Sequence, residues 1–332
     1  MAQTPQTAAL VVAETRDGAI APLTLELLGA ARALATALGG TVAAVLIGAD
    51  DAAADALAAH GADHVYVCTM PGAAAEYEGE LWLPCVEHAA REIQPLAILV
   101  GHTPAGGDLA PRLAFRLESA VATGCVGVAV ESGAVRFTRA CYGGNVRETV
   151  SITTLPAVAT IKTGVGAALV RGASSGEIVR VAVPAVQPRT RVVSRTREAD
   201  SGTRLEDARI IVAGGRGLEG AEGFRILEEL AAVLDAPVGA SRVPCDLGWC
   251  PHSWQIGLTG KTVTPDLYFA IGISGAGHHL AGCGNSKAIV AINTDPEAVI
   301  FKEARFGIVA DYRKVVPALA HALHKLKEEE RP

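Results

Sequence analysis

The sequence predicts an α/β protein of two domains built on mostly parallel sheets. Three observations carry that reading. Apolar β-branched runs alternate with Ala- and Leu-rich segments of helical period, the pattern of strands joined by crossover helices. A length of 332 residues with 50% hydrophobic content is enough to fill more than one core. A polar, charged stretch without apolar periodicity, Val193 to Asp207, separates two such series and reads as a linker.

The first domain, 1–192, opens with a short polar segment, Met1 to Thr7, in which no signal or transit sequence is expected. Strands are predicted at Ala8–Ala13, Thr41–Ile47, His64–Cys68 and Ala97–Gly101, with helices between them at Pro22–Leu38, Asp51–His60 and Leu81–Ile93. Val126–Val130, Ala134–Ala140 and Ala157–Lys162 read as strands without intervening helices, so the sheet gains an antiparallel portion. After the linker at 193–207, the second domain, 208–332, resumes the alternation. Its elements are strand Arg209–Ala213, helix Ala221–Leu234, strands Tyr268–Ile273 and Ala288–Ile292, and a final strand around Ile308. An amphipathic helix from about Val315 to Lys327 ends with a basic turn.

Composition excludes several function classes. Lys and Arg total 29 against 35 Asp and Glu, a net charge of -6, and the basic residues are scattered instead of forming a stripe for nucleic acid. No apolar run is long enough to span a bilayer. Seven cysteines without a C-x-x-C pair suit a reducing cytoplasm better than a disulfide framework or an iron–sulfur cluster. Cys245 and Cys250 come closest to a pair, but neighbouring ligands for a metal are missing.

The second domain opens with Arg209-Ile-Ile-Val-Ala-Gly-Gly-Arg-Gly-Leu-Glu-Gly220, in which Gly215, Gly217 and Gly220 satisfy G-x-G-x-x-G between a strand and a helix. Such a loop aims backbone N–H groups and a helix N-terminus at a phosphate. The acidic residue that would hold a ribose is out of place, since Asp235 ends the helix and precedes Pro237–Ala240. Two readings stand: a dinucleotide loop, or a tight turn using glycine for geometry alone. A second glycine-rich turn, Gly272 to Gly282, follows strand Tyr268–Ile273, at the strand end where open α/β sheets place ligands. Ala276 breaks the G-x-S-x-G pattern of a hydrolase elbow.

Between these turns, Gly239-Ala-Ser-Arg242 and the stretch Gly248 to Lys261 combine two tryptophans, glycines and hydroxyl donors, a mixture suited to a shaped ligand loop. Trp249 and Trp254 belong to a residue type that packs more often than it stacks on a cofactor. Arg242, after a short buried strand, needs an anion, and Asp246 is an ordinary ion-pair partner that would satisfy it. His278 and His279 have no third ligand at helical spacing for a metal. Asp311 reads as a helix N-cap, a position compatible with ligand contact.

The runs Gly214 to Leu218, Val238 to Arg242, Gln255 to Lys261, Pro265 to Ala276, Ile289 to Glu297 and Gly307 to Asp311 strongly resemble, in order and spacing, the alpha subunit of electron-transferring flavoproteins. That resemblance covers nearly all of the second domain. In the first it is looser, through Val12 to Gly18, Gly61-Ala-Asp-His64 and Tyr142-Gly-Gly-Asn145. It implies a nucleotide-hydrolase-like, three-layer first domain for partner contact and a Rossmann-like second domain that holds one FAD in an extended pose. It also implies a heterodimer with a beta subunit, in the cytoplasm. The pair would be a redox carrier without its own substrate turnover, taking electrons from flavoprotein dehydrogenases to a quinone oxidoreductase or other acceptor.

Carried over by position, the resemblance implies FAD contacts at Arg216, Ser241, Arg242, Ile256, Gly257, Leu258 and Thr259. It adds Ser274, Gly275, Ala276, Gly277, His278, His279, Asn293, Asp311 and Tyr312. Arg242, Thr259 and His279 would tune the flavin: the guanidinium by fixed charge, Thr259 at N5 and His279 at the O2 carbonyl. Gly257, Gly275 and Gly277 would allow close backbone approach, Ser241, Ser274 and Asn293 would donate to phosphate or ribitol oxygens, and Asp311 suits the adenosine end. The chain departs from the family pattern Ser-Gly-Ala-Ile-Gln-His at Gly277 and His278, and Leu258 stands where glutamine is common. His278 would add a pH-dependent charge near the flavin. An NAD-dependent dehydrogenase using Gly215 to Gly220 and a colourless nucleotide-binding regulatory module are the alternative readings.

Overall fold

The computed structural model describes residues 6–48, 50–142, 146–172, 176–190, 192–194 and 204–329. Residues 1–5 of the polar opening, 143–145 of the Tyr142-Gly-Gly-Asn145 run and most of the linker at 193–207 lie outside them. The chain divides into two compact units, Met1–Cys141 with Arg147–Thr196, and Tyr142–Val146 with Arg197–Pro332. The last boundary of that division, between Thr196 and Arg197, falls within the polar stretch. At its far end, however, Leu205 belongs to a short 3-10 turn, Leu205–Asp207, and is buried in the core of the second unit.

In the first unit β1 (Thr7–Val12) leads through the short ribbon β2 (Thr15–Arg16) and β3 (Ala19–Ile20) to α1 (Pro22–Leu38). There follow β4 (Thr41–Ile47), α2 (Asp51–Ala59), β5 (His64–Thr69), α3 (Gly79–Ile93), β6 (Ala97–Gly101) and α4 (Pro104–Arg116). The last strands are β7 (Val121–Glu131), β8 (Ala134–Cys141), β9 (Val146–Val150), β10 (Ala157–Ile161) and β11 (Glu177–Ala182). They form one sheet in the order β11-β5-β4-β1-β6-β10-β7-β8-β9. The pairs from β11 to β7 are parallel, and β7 and β8 form the expected antiparallel portion. Alternation along the central strands builds three layers: Ala9 and Val11 pack with α1 and α2, while Leu10 and Val12 pack with α3 and α4.

Helix α4 was not expected from the sequence, because Gly106, Gly107 and Pro111 are poor helix formers. Thr103 caps it by accepting a hydrogen bond from Gly106 N–H, Pro104 occupies the first turn, and Leu109, Ala110, Leu113 and Ala114 bury one face. Tertiary burial overrides weak propensity here.

The second unit contains β12 (Ile210–Gly214), α5 (Ala221–Leu234), β13 (Val238–Ala240), α6 (Arg242–Asp246), β14 (Leu267–Ile271), α7 (Gly277–Cys283), β15 (Ile289–Asn293), α8 (Ile300–Glu303), β16 (Phe306–Val309) and α9 (Tyr312–Glu329). Its sheet runs β13-β12-β14-β15-β16, parallel throughout. Numbered along the chain this is the order 2-1-3-4-5, a doubly wound sheet whose topological switch lies between β12 and β14. Val212, Phe269 and Ile271 face α5 and α9, while Ile211, Ala213, Tyr268 and Ala270 face the opposite cluster with Ile256, Cys283 and Ile300. Among the described residues no helix is long and apolar enough to cross a membrane.

Candidate functional site

A cleft of about 920 Å³ opens over the carboxyl ends of β12 to β15, at the topological switch. Its wall is built from loops that the sheet holds in register. After β12, Gly215 and Gly217 turn the chain toward α5; after β14, Gly272 to Ala276 lead into α7. These two turns interlock. Gly217 N–H donates to Gly272 O at 3.0 Å, and a Cβ on Gly215 would lie 2.7 Å from Ile273 Cα and collide with Gly272 O. Gly275 (φ +85°) backs onto α8, where a Cβ would lie 2.6 Å from Ile300 Cα. Packing thus requires glycine at Gly215 and Gly275 whatever the cleft holds, while Arg216 and Gly217 of the first turn line the cleft.

Three donors in the cleft have no hydrogen-bond or ion-pair partner among the described residues: the Arg216 guanidinium and the Ser241 and Ser274 hydroxyls. Thr259 Oγ1 accepts from Gln255 Nε2 at 3.0 Å, which leaves its own O–H free to donate. Arg242 Nε pairs with Asp246 Oδ2 at 3.0 Å, and the rest of the fork remains at the cleft wall. Donors and a guanidinium around a cavity of this size fit an anionic dinucleotide. Among the described residues no group of three or more His, Cys, Asp or Glu is placed to hold a metal.

His279 lies at the cleft but its ring is engaged on both sides. Ile256 O can only accept, so Nδ1 donates to it at 3.0 Å, and Nε2 accepts from the buried Tyr268 hydroxyl at 2.9 Å. A bond from this ring to a ligand carbonyl, as the resemblance implies, therefore requires exchange of one of these partners. Burial holds the imidazole down to about 4, whereas the unfolded chain takes up its proton near pH 6.5. Between those values only the unfolded state is protonated, so stability falls as pH drops through that window and levels off below it. The difference corresponds to roughly 3 kcal/mol. A His279→Gln protein is expected to lose this acid limb, read as a smaller drop in urea midpoint between about pH 7 and pH 4.5. A drop equal to that of the native protein would count against a buried neutral ring.

Residues 9–186 match the electron transfer flavoprotein domain and residues 204–284 the electron transfer flavoprotein FAD-binding domain. Over 324 residues the chain is 42% identical to the electron transfer flavoprotein subunit alpha of Thermoanaerobacterium thermosaccharolyticum, covering 96% of this chain and 98% of that one. The chain belongs to the electron transfer flavoprotein alpha-subunit family. The subunit alpha of Bacillus subtilis is 42% identical over 96% of this chain and 97% of its own, and that of Syntrophomonas wolfei 40% over 95% and 98%. The cofactor of this electron-transfer family is FAD, and no finding favours the NAD-dependent alternative.

Against the family expectation, the structure gathers most of the implied FAD contacts around the one cleft. Arg216, Ser241, Arg242, Ile256, Gly257, Leu258 and Thr259 line it, with Ser274, Ala276, His278, His279 and Asn293. Gly275, Gly277, Asp311 and Tyr312 are not part of its lining. Asp311 instead caps α9 by accepting from Arg313 N–H at 2.9 Å, and Tyr312 is buried, its hydroxyl donating to Leu218 O at 3.0 Å. Asn293 is largely committed, donating to Ile273 O and accepting from Asp295 N–H, both at 3.0 Å. Trp254 packs on Phe224 at 5.9 Å between ring centroids, while Trp249 lines the cleft. Glu219 and Asp295 were missed: Glu219 directly follows the run Gly214 to Leu218 and Asp295 lies within Ile289 to Glu297, but neither residue type signals proximity to an anion.

Proposed function

We propose that this cleft holds FAD in an extended pose and that the chain, joined to a beta subunit in the cytoplasm, passes electrons from flavoprotein dehydrogenases to a quinone oxidoreductase or other acceptor without turning over a substrate of its own. FAD supplies the isoalloxazine ring that gains and loses the electrons. The observation that carries the reading is the set of donors without protein partners, Arg216, Ser241 and Ser274, gathered over the strand ends in a unit that matches the family's FAD-binding domain.

Each role follows from the chemistry of the residue. Arg216 and the two serines would bind the phosphates and ribitol, Thr259 would donate to the flavin edge, and Arg242 would place fixed positive charge beside the ring. Ile256 and Trp249 are not equivalent walls: Ile256 is buried apolar surface, and the Trp249 ring offers a face that excludes water. His279 would fix the wall through Ile256 and Tyr268.

Co-expression with a beta subunit, then an absorption spectrum and a reductive titration, tests the proposal. A yellow complex reducible in one-electron steps is expected. A colourless complex that refuses FAD at about micromolar levels, some 8 kcal/mol of binding, would sink it.

A further inference from the structure

Two thiols that play no part in the function above face each other beside the cleft. Cys245 Sγ and Cys250 Sγ are 3.5 Å apart and both residues are buried. The turn after α6 brings them together. Leu247 N–H donates to Val243 O, Gly248 N–H to Cys245 O and Trp249 N–H to Pro244 O, at 3.0, 3.0 and 2.9 Å, so the chain reverses and returns Cys250 to Cys245. Like Cys68, Cys125 and Cys283, Cys245 donates to a backbone carbonyl, in its case Ser241 O at 3.6 Å; what sets it apart is the second thiol that faces it. Burial pushes Cys68, Cys125 and Cys283 up to about 12 and Cys85 up to about 11. The Cys250 S–H bond to Cys245, by contrast, holds the Cys245 thiol below its ordinary value and pushes Cys250 up. Cys245 is therefore the better nucleophile of the pair.

We propose that Cys245 and Cys250 form a reversible disulfide beside the cleft, made by hydrogen peroxide and undone by a dithiol. The Cys245 thiolate attacks one peroxide oxygen, the O–O bond breaks, and the departing oxygen leaves as hydroxide and takes a proton to become water. The Cys250 sulfur then attacks the sulfenic sulfur of Cys245, an S–S bond forms as the S–O bond breaks, and the hydroxyl leaves with the Cys250 proton as water. One peroxide is reduced to two waters and two thiols are oxidised to one disulfide. Closing the gap from 3.5 Å to the roughly 2 Å of an S–S bond moves the turn. Arg242 precedes Cys245 by one helical turn, Trp249 adjoins Cys250, and both line the cleft. Oxidation thereby alters the wall the ligand meets. The effect on FAD rests on the function proposed above; the disulfide does not.

Both cysteines fall in one tryptic peptide, Val243 to Lys261. The full chain with its beta subunit is treated with hydrogen peroxide, quenched, alkylated and digested. The expected result is that this peptide loses two hydrogens and resists alkylation until dithiothreitol restores it, while FAD affinity shifts by about threefold or more. Cys250→Ser should show neither change, and Cys141→Ser should show both. Full alkylation of the peptide at peroxide doses that oxidise Cys141 overturns the disulfide, and a disulfide that leaves FAD affinity unmoved overturns its coupling to the cleft. If the reduced protein takes no FAD, the cofactor reading falls, and the peptide mass still decides the disulfide.

Discussion

Alanine at Arg242 is expected to lower the midpoint potential of the bound flavin by on the order of 60 mV for the one-electron step, the equivalent of about 1.4 kcal/mol. The guanidinium lines the cleft, and a fixed positive charge favours the electron-rich form of a ring beside it. Two features limit the size of the effect. Arg242 is 66% exposed, so water and salt screen its field, and Asp246 lies 3.0 Å from its Nε and offsets part of the charge. The same geometry predicts the opposite sign for Asp246→Asn, which frees the guanidinium and should raise the potential. Arg242→Lys keeps the charge without the planar fork and should fall between. Spectroelectrochemical titration of the heterodimer at low salt and at about 1 M salt measures all three. If Arg242→Ala titrates with the native protein, the guanidinium has no part in setting the potential.

The largest structural effect is expected from Gly215→Ala. The new methyl would point at the backbone of Gly272 and Ile273, which cannot yield as a flexible side chain can. Because Gly215 has φ −114°, alanine meets no backbone strain there, and the cost is one of close approach alone. Overpacking against rigid backbone costs about 3 kcal/mol, or roughly 10 °C in the melting of the second unit. The two turns must also part, so FAD should be released at lower denaturant than native unfolding requires. Melting followed by flavin fluorescence and by circular dichroism separates the two events. Native-like melting with retained flavin would show that the turns are not interlocked.

The parts of the fold that could be read from sequence were those in which local pattern and burial agree. The central strands of both sheets, β1, β4, β6, β10, β12 and β14, are short apolar runs buried almost throughout, and α1 and α5 were placed at their observed bounds because apolar period and end signals coincide. Helix α4 was hidden by its glycines and proline, and α6 is too short, with Pro244 inside it, to show a period. In the cleft, the resemblance carried over by position named Arg216, Ser241, Arg242 and Ser274, and the parallel sheet brings all four to one set of strand ends. What stayed hidden was how side chains are already spent. The commitments of Asn293 to Ile273 and Asp295, of His279 to Tyr268 and Ile256, and of Tyr312 to Leu218 are long-range bonds without a local signature.

The bond from Tyr312 to Leu218 has a temporal meaning. Leu218 sits in the first loop of the second unit, and its anchor lies 94 residues downstream at the start of the final helix. During translation the loop emerges long before the residue that fastens it, and α5 must wait for the α9 side chains, Val316 and Leu319 among them, that cover its apolar stripe. The loop that carries Arg216 and Glu219 to the cleft is consequently among the last parts to be fastened, and a nascent chain that ends before α9 has the loop without its anchor.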